Sequence, residues 1–339
     1  CHWGCDYCPL SDNRRESPDM FANERRCSEW SEVIEEGQAM NATGTGITGG
    51  DPMLDMERSL EAVKQLKAAF GPKHHIHLYT SIPFDPINCS RFADAGLDEI
   101  RFHLLDGTIA KYLPVIDGCH YAGINVGIEL PCEPDKETDL LALLDSMNGS
   151  NIQFLNLNEL EITVGNHDNM ELRGFNLSTE ITAGAAGSAE LSISMRDRVM
   201  AAQFGIPDPL DGKIRESYGF HLKFCTATYK DSGQLRRRFI RRGEHTIAPH
   251  ETLTDDGTLI FGAVNCNSSE QSDWIDEITK ETGLPSRFLY WDEKNSRIEM
   301  PLVVAEDIAE MVDSEVSMIE VTPTFERMEL TVVILNSKE

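Results

Sequence analysis

The sequence is poor in basic residues relative to acidic ones. Its 339 residues contain 57 Asp and Glu against 30 Lys and Arg, which gives a formal net charge of -27. A chain this acidic is poorly suited to general binding of nucleic acids or anionic membranes, because both are negatively charged. The excess acid is spread along the chain instead of forming a tail. We therefore interpret it as a solvated acidic surface of the halophile-like kind that high-salt cytoplasms favour.

The sequence also lacks a continuous apolar run of about 18 residues, the length that a membrane-spanning helix requires. It lacks a recognisable secretory signal peptide as well. We therefore expect a cytoplasmic protein with no membrane partner. Its nine cysteines fit a reducing compartment, where thiols stay free to bind clusters.

Three of the nine cysteines lie in the first ten residues, at Cys1, Cys5 and Cys8. A loop this short lets the three sulfurs converge on one metal centre. A structural zinc site or an electron-transfer iron–sulfur cluster normally takes four protein ligands. Three cysteines therefore leave one metal position without a protein ligand. An open metal position is how a site binds and activates a substrate. The spacing therefore predicts a catalytic metal centre.

An alternative is a non-enzymatic zinc-binding module, in which His2 or Cys27 supplies the fourth ligand. Zinc knuckles use similar spacings, so the cysteines alone leave this alternative open. It leaves unexplained the glycine-rich turn and the strand pattern described below.

The pattern of Cys1, Cys5 and Cys8, with the aromatic Tyr7 directly before the third cysteine, resembles the signature of the radical S-adenosylmethionine superfamily. Those enzymes bind a 4Fe-4S cluster through three cysteines, and the open iron chelates S-adenosyl-L-methionine. The resemblance implies both cofactors, together with an external one-electron donor of the ferredoxin or flavodoxin type. It also implies reductive cleavage of the cofactor to a 5'-deoxyadenosyl radical, which abstracts a hydrogen atom from a substrate.

A second segment, Thr48-Gly49-Gly50-Asp51-Pro52, is similar to the Gly-Gly-Glu-Pro turn of that superfamily. The resemblance implies that Gly49, Gly50 and Asp51 seat the methionine end of the cofactor and that Tyr7 packs near its adenine. Asp51 replaces the usual Glu, which keeps the charge but shortens the side chain. The match is greatest to an archaeal branch related to pyruvate formate-lyase activating enzymes, so activation of a glycyl-radical enzyme is an alternative function.

The order of predicted elements favours an α/β fold. After the turn, strands alternate with helices, the pattern of a parallel sheet with crossover helices. The strands are predicted at residues 43–48, 74–81, 98–104, 124–131, 152–160 and 219–225. Helices are predicted over residues 27–40, with Ser28 as the cap, and over 56–70, where Gly71-Pro72 ends the helix. Residues 162–186 lack clear periodicity and are predicted to form a long loop over the barrel mouth. We predict a partial parallel (β/α) TIM-like barrel of the radical S-adenosylmethionine type over residues 1–247, and a small α+β domain over 248–339. Because a strand should precede the cluster loop, we also expect the chain to be truncated at its N-terminus.

Alternation along these strands separates an apolar set, which should face the helices, from a polar set, which should face the barrel lumen. A polar lumen is unlike the aliphatic layers of a purely structural barrel, so it predicts a binding cavity. Its histidines, together with Arg101 and Lys223 against a single Glu129, predict a locally basic cavity for a small polar or anionic substrate. The lumen-facing set is predicted to be His75, His77, Tyr79, Ser81, Arg101, His103, Asn125, Gly127, Glu129, Asn156, Asn158, His221, Lys223 and Cys225.

Within the lumen-facing set, Ser81, Asn156 and Asn158 are candidate cofactor-binding residues, since the asparagines could hydrogen-bond the ribose or the adenine. Equally, the two asparagines could simply be polar residues at the end of a strand, with no ligand. Glu129 is a candidate catalytic residue, with the alternatives of a ribose ligand or an ion-pair partner of Arg101. Cys225, at the carboxyl end of its strand, is a candidate for substrate chemistry or radical relay, although most such thiols are simply buried.

Near residue 240, this negatively charged chain has a cluster of five arginines, at Arg236, Arg237, Arg238, Arg241 and Arg242. Such a run is usually a solvated helix face. It could also bind an anion, and it is the sole support for the alternative of an RNA-modifying enzyme.

Overall fold

The computed structural model describes residues 3–11, 14 and 17–336. They form two compact units, one from Cys1–Pro18 and Thr43–Ser232, the other from Asp19–Ala42 and Gly233–Glu339. The domain boundary predicted between residues 247 and 248 stays a prediction, and the compact units divide the chain elsewhere. Residues 19–42 fold as strands β1 (Met20–Ala22) and β2 (Arg25–Cys27) and helix α1 (Trp30–Ala39).

The first unit is built on a six-stranded sheet in the order β3-β4-β5-β6-β7-β8. Every neighbouring pair is parallel, so the predicted partial (β/α) barrel is confirmed. Its strands are β3 (Gly44–Ile47), β4 (His75–Thr80), β5 (Glu99–Phe102), β6 (Asn125–Cys132), β7 (Phe154–Glu159) and β8 (His221–Cys225). Its helices are α2 (Met56–Phe70), α3 (Ile87–Ala95), α4 (Leu113–Tyr121), α5 (Glu137–Met147), α6 (His167–Leu172) and α7 (Ser188–Phe204).

One face of this sheet is a dry core. Ile76, Leu78, Ile100 and Phe102 are each 0% exposed, as the alternation along the strands predicts for the side that packs against the helices. The opposite face carries the polar residues discussed below. Of the helices in the described part of the chain, none combines the length and the apolar character that crossing a bilayer requires.

The rest of the second unit forms an α+β fold around an antiparallel sheet of order β11-β12-β10-β13-β14, with β9 paired to β10. Its strands are β9 (Thr252–Leu253), β10 (Leu259–Asn265), β11 (Tyr290–Asp292), β12 (Arg297–Met300), β13 (Val316–Val321) and β14 (Glu329–Ile334). Its helices are α8 (Arg236–Thr246), α9 (Gln271–Thr282) and α10 (Leu302–Ala309). A core including Val264, Ile298 and Ala305 is buried between this sheet and its helices.

Helix α1 begins later than the sequence predicts. We expected a helix from Cys27 with Ser28 as its cap. Instead, residues 25–27 form strand β2, and Glu29 is the N-cap of a capping box with Glu32. The Glu32 carboxylate accepts the backbone N–H of the N-cap Glu29 and also that of Ser28, the residue before it, so the N-cap donor is satisfied.

Candidate active site

The cysteine loop lies at the carboxyl ends of the barrel strands, and the structure describes Cys5 and Cys8 but not Cys1 or His2. The backbone N–H of Cys8 donates to the carbonyl of Cys5 at 3.2 Å, which closes a tight turn. Burial raises the pKa of the Cys5 thiol, and the charges of Cys8 and Asp6 raise it further. A cationic iron centre favours thiolates over thiols, so this pair fits the donor set of an iron–sulfur cluster.

Two residues from the segment after β7 hold the cysteine loop. Asn166 is 2% exposed, and its Nδ2 donates to the carbonyls of Tyr7 and Glu161, each at 2.9 Å. Arg173 lies 3.3 Å from Asp6 and also pairs with Asp135 at 2.7 Å. Sequence reasoning treated residues 162–186 as an irregular loop over the barrel mouth and missed both anchors.

Tyr7 connects this loop to the lumen. Its hydroxyl forms a short hydrogen bond with Nε2 of His103, and Nδ1 of His103 lies 3.0 Å from the carbonyl of Glu129. Burial raises the pKa of Tyr7 and lowers that of His103, so both groups are neutral near pH 7. Beside Tyr7 is a cavity of about 180 Å³ whose lining includes Leu104, Leu130, Glu133, Lys136 and Leu143.

The glycine-rich turn follows β3. Gly49 has a backbone φ of +119°, which side-chain-bearing residues rarely adopt, and both Gly49 and Gly50 are exposed. Asp51 is 8% exposed, and its carboxylate accepts four hydrogen bonds, from Trp3 Nε1, Met53 N, Thr80 Oγ1 and Ser81 N. The acidic side chain therefore stabilises the turn, and the glycine backbone is left open for a ligand.

A network of polar side chains occupies the lumen, centred on Arg101. Arg101 donates through Nε to Glu99 at 2.6 Å and through Nη1 to Tyr79 at 2.6 Å and Glu129 at 2.8 Å. The other Glu129 oxygen accepts from Asn158 Nδ2 at 2.8 Å. Glu129, Arg101 and Asn158 therefore share one face of the sheet, as the alternation along the strands predicts. Both carboxylate oxygens of Glu129 accept a hydrogen bond.

The prediction of a net basic lumen is wrong. Glu99 pairs in register with His77 and adds a second carboxylate that is not in the predicted lumen-facing set, so Arg101 lies between two acids. Burial, with the nearby charge of Arg101, lowers the pKa of His77 to about 4, so this histidine adds no charge at neutral pH. Across the described residues, no carboxylate pairs with Lys223, whose Nζ lies 4.2 Å from the centre of the Phe154 ring.

The remaining candidates also lie along these strands. Asn156 is 7% exposed, and within residues 3–11, 14 and 17–336 its buried Oδ1 finds no hydrogen-bond partner. Ser81 accepts the Tyr112 hydroxyl on its carbonyl at 2.8 Å. Cys225 pairs in register with Asn158, and burial together with the Glu129 charge raises the pKa of its thiol. The roles predicted for these residues stay predictions.

The arginine cluster lies on helix α8 of the second unit and is not uniformly solvated. Arg242 is buried and forms a two-bonded ion pair with Glu36. Arg236 donates to the carbonyl of Asp255 at 2.5 Å. At least these two arginines therefore stabilise the unit itself.

A curated protein of Methanocaldococcus jannaschii named "Putative glycyl-radical enzyme activating enzyme" is 30% identical over 321 residues, which cover 92% of this chain and 79% of that protein. A family model described as a domain of unknown function, DUF8061, matches residues 257–334, inside the second unit.

Two solved structures resemble the chain weakly. A radical S-adenosylmethionine methyltransferase from Kitasatospora setae, with cobalamin and a 4Fe-4S cluster bound, has 15% identity and a TM-score of 0.33 and covers 63% of this chain and 46% of its own. For 3-hexulose-6-phosphate synthase from Salmonella typhimurium the identity is 13%, the TM-score 0.31 and the coverage 57% and 83%. Identities and TM-scores this low establish neither the family nor the function of the chain. The family follows from the Methanocaldococcus protein, which is 30% identical over most of both chains. The chain belongs, with that protein, to the radical S-adenosylmethionine enzymes.

Proposed function

We propose that this protein cleaves S-adenosyl-L-methionine reductively and abstracts a hydrogen atom from a small polar or anionic substrate bound in the barrel lumen. The observation that carries the proposal is the continuous connection from the cysteine loop into the lumen. Tyr7 bonds His103, His103 contacts the Glu129 carbonyl, and the Glu129 carboxylate pairs with Arg101. The cofactor site and the polar cavity are thus parts of one arrangement.

Three cysteines, Cys1, Cys5 and Cys8, would supply the thiolates for a 4Fe-4S cluster. When bound, the cluster supplies the electron that cleaves the sulfonium and releases a 5'-deoxyadenosyl radical. The exposed backbone of Gly49 and Gly50 would receive the methionine end. The lining of the cavity beside Tyr7 combines leucines with the charged side chains of Glu133 and Lys136, which suits a planar base with polar edges.

Lys223 is the natural anchor for an anionic group on the substrate. Arg101 is already neutralised by Glu99 and Glu129, whereas Lys223 rests on the face of Phe154 with its charge unmatched among the described residues. Asn156 offers a buried acceptor, since its Oδ1 lacks a partner in the part of the chain that the structure describes. Glu129 acts as a positioning residue, and Cys225 is the thiol placed to face the bound substrate.

The name of the Methanocaldococcus relative favours a second candidate, activation of a glycyl-radical enzyme. In that case the hydrogen donor is a glycine of a partner protein, and the lumen receives a peptide segment. The two candidates differ in where the abstracted hydrogen originates.

The test is a reduced, anaerobic assay for 5'-deoxyadenosine. Deuterated cell extract is separated into a protein fraction and a small-molecule fraction, and each is added to reconstituted enzyme. Deuterium in 5'-deoxyadenosine with the small-molecule fraction supports the first candidate. Deuterium with the protein fraction, together with a glycyl radical signal in electron paramagnetic resonance, supports the second. If cofactor cleavage is absent under both conditions and without either fraction, the proposal is wrong.

A further inference from the structure

Two histidines and a glutamate meet at the amino end of the barrel strands, at the opposite end from the cysteine loop. His75 and His77 are separated by two positions on β4 and share its lumen face, and Glu99 is directly beside His77 in register. One nitrogen of each imidazole and one Glu99 oxygen all lie within 4.8 Å of one another. Neither the cofactor site nor the substrate anchor uses this group.

We propose that His75, His77 and Glu99 bind a divalent transition metal, with zinc as the best match. Two imidazoles and a carboxylate are a known zinc donor set, which leaves a fourth position for water. Zinc–ligand bonds of about 2.0–2.2 Å place tetrahedral ligand atoms about 3.3–3.6 Å apart. Nε2 of His75 lies 3.9 Å from Oε2 of Glu99, so a small side-chain movement brings this pair to coordinating distance.

Gly46, on the neighbouring strand β3, leaves room for the imidazole of His77. A Cβ atom at Gly46 on β3 would lie 2.6 Å from Nε2 of His77, which no real contact tolerates, so glycine at this position gives the ring its space. The His75 side chain is 47% exposed and that of Glu99 10%. An ion can therefore enter from solvent past His75 and reach a carboxylate that is largely shielded from water.

The surrounding charges favour a cation and connect the site to the lumen. Oε1 of Glu99 accepts from Nε of Arg101, while Oε2 faces His75. A hydrogen bond to the second oxygen is the usual support for a metal-bound carboxylate. Within the Arg101 network alone, the carboxylates of Glu99 and Glu129 exceed the single guanidinium by one negative charge. A bound ion would fix Glu99 and, through it, Arg101 and the substrate-binding network.

Metal analysis of the intact protein tests this proposal. The full chain is reconstituted anaerobically, given one equivalent of zinc, desalted, and analysed for zinc and iron separately. Zinc-edge X-ray absorption then identifies the ligand atoms. We expect about one zinc per chain bound by nitrogen and oxygen, and at least tenfold weaker zinc binding in His77→Ala and Glu99→Gln. The control is His221→Ala, an exposed histidine on β8, which should bind zinc normally.

Three results would overturn the proposal. They are zinc with sulfur ligands alone, which places it in the cysteine loop; no retained zinc; or unchanged zinc affinity in the variants. Should His77→Ala fail to fold, His75→Ala decides the matter, because that side chain is half exposed and its loss disturbs little packing. The readout is metal content and ligand type, so it holds whether or not the proposed reaction is correct.

Discussion

Arg101 and Glu129 form an ion pair across the neighbouring strands β5 and β6, with Nη1 of the guanidinium 2.8 Å from Oε2 of the carboxylate. Their side chains are 18% and 15% exposed, so water screens the pair only in part. Arg101 also bonds Glu99 and Tyr79, and Glu129 also bonds Asn158. The pair is therefore the centre of the lumen network and fixes the shape of the proposed substrate site.

Replacing Glu129 with Gln should separate cofactor chemistry from substrate chemistry. The amide keeps the size of the side chain but loses the charge that pairs with Arg101, a cost of about 1.5–3 kcal/mol for a hydrogen bond to a charged group. We expect 5'-deoxyadenosine formation stimulated by the active extract fraction to fall about 10- to 100-fold. Cleavage without the fraction should stay near the wild-type rate. Glu137→Gln, at an exposed position on α5, is the matched control.

Replacing Lys223 with Gln should weaken substrate binding more than turnover. If Lys223 binds an anionic group, loss of the charge costs about 1–3 kcal/mol, which corresponds to a 5- to 150-fold higher half-saturating concentration of the fraction. The maximal rate should change little. Lys64→Gln, on the exposed face of α2, should leave both parameters unaltered. A fall in the maximal rate with unchanged half-saturation would contradict the anchoring role.

Replacing Asn166 with Ala should impair cluster retention. The side chain is buried and holds the backbone of the cysteine loop through Tyr7, and leaving buried polar groups without partners costs about 1–3 kcal/mol. We expect fewer irons per chain after anaerobic reconstitution and desalting. Asn169→Ala removes a single long contact of 3.4 Å to the same loop and serves as control. Equal iron content in the two variants would show that Asn166 does not position the loop.

The burial of His103 predicts a pH-dependent stability. Burial lowers its pKa below the ordinary value of 6.5 and outweighs the nearby carboxylates of Glu129, Glu133 and Asp51. The stabilisation is complete above the unfolded pKa of about 6.5 and is lost as pH falls toward the lower folded value, because only the unfolded chain then binds the proton readily.

Denaturant unfolding of wild type and His103→Gln at about pH 7.5 and about pH 5.5 measures this effect. The wild type should lose more stability between the two pH values than the variant. The His221→Ala control should follow the wild type. A variant that loses as much stability as wild type over this range would rule out His103 as the titrating group.

Breaking the Glu36–Arg242 pair should destabilise the second unit. Both side chains are buried, at 2% and 9% exposure, and removing one partner of a buried pair costs about 3–5 kcal/mol. We expect that loss for Glu36→Ala and a smaller one for the double replacement Glu36→Leu, Arg242→Met. Exposed Arg238→Gln should change the free energy of unfolding by less than about 0.5 kcal/mol. A double-mutant cycle in urea, with Glu36→Leu, Arg242→Met and their combination, measures the coupling.

Short-range patterns predicted most of the barrel. The alternation of Ile76 and Leu78 with His75 and His77 assigned both faces of β4, because strand side chains point to opposite sides with a period of two. The limits of α2, Met56 to Phe70, followed from helical spacing and the stop at Gly71-Pro72.

Contacts between side chains that are distant along the chain could not be predicted from the sequence. Whether Arg101 serves as a substrate ligand depends on Glu99 and Glu129, whose positions beside it are set by strand register. Asn166 and Arg173 hold the cysteine loop from more than 150 residues away, and no local pattern marks them. The N-cap at Glu29 was missed for a simpler reason. Serine has the higher intrinsic preference for the N-cap position, so Ser28 was expected there, but the Glu32 carboxylate accepts the backbone N–H of Glu29 and makes Glu29 the cap.

The most direct test of the central claim is anaerobic reconstitution of a full-length protein, with 5'-deoxyadenosine measured in wild type and in Cys5→Ala. Cys27→Ala, which removes the thiol in β2, is the matched control. The account predicts about four irons per chain, a broad brown absorbance and cofactor cleavage in wild type and the control, and loss of cleavage in Cys5→Ala. A wild-type protein without iron–sulfur absorbance, or undiminished cleavage in Cys5→Ala, would contradict it.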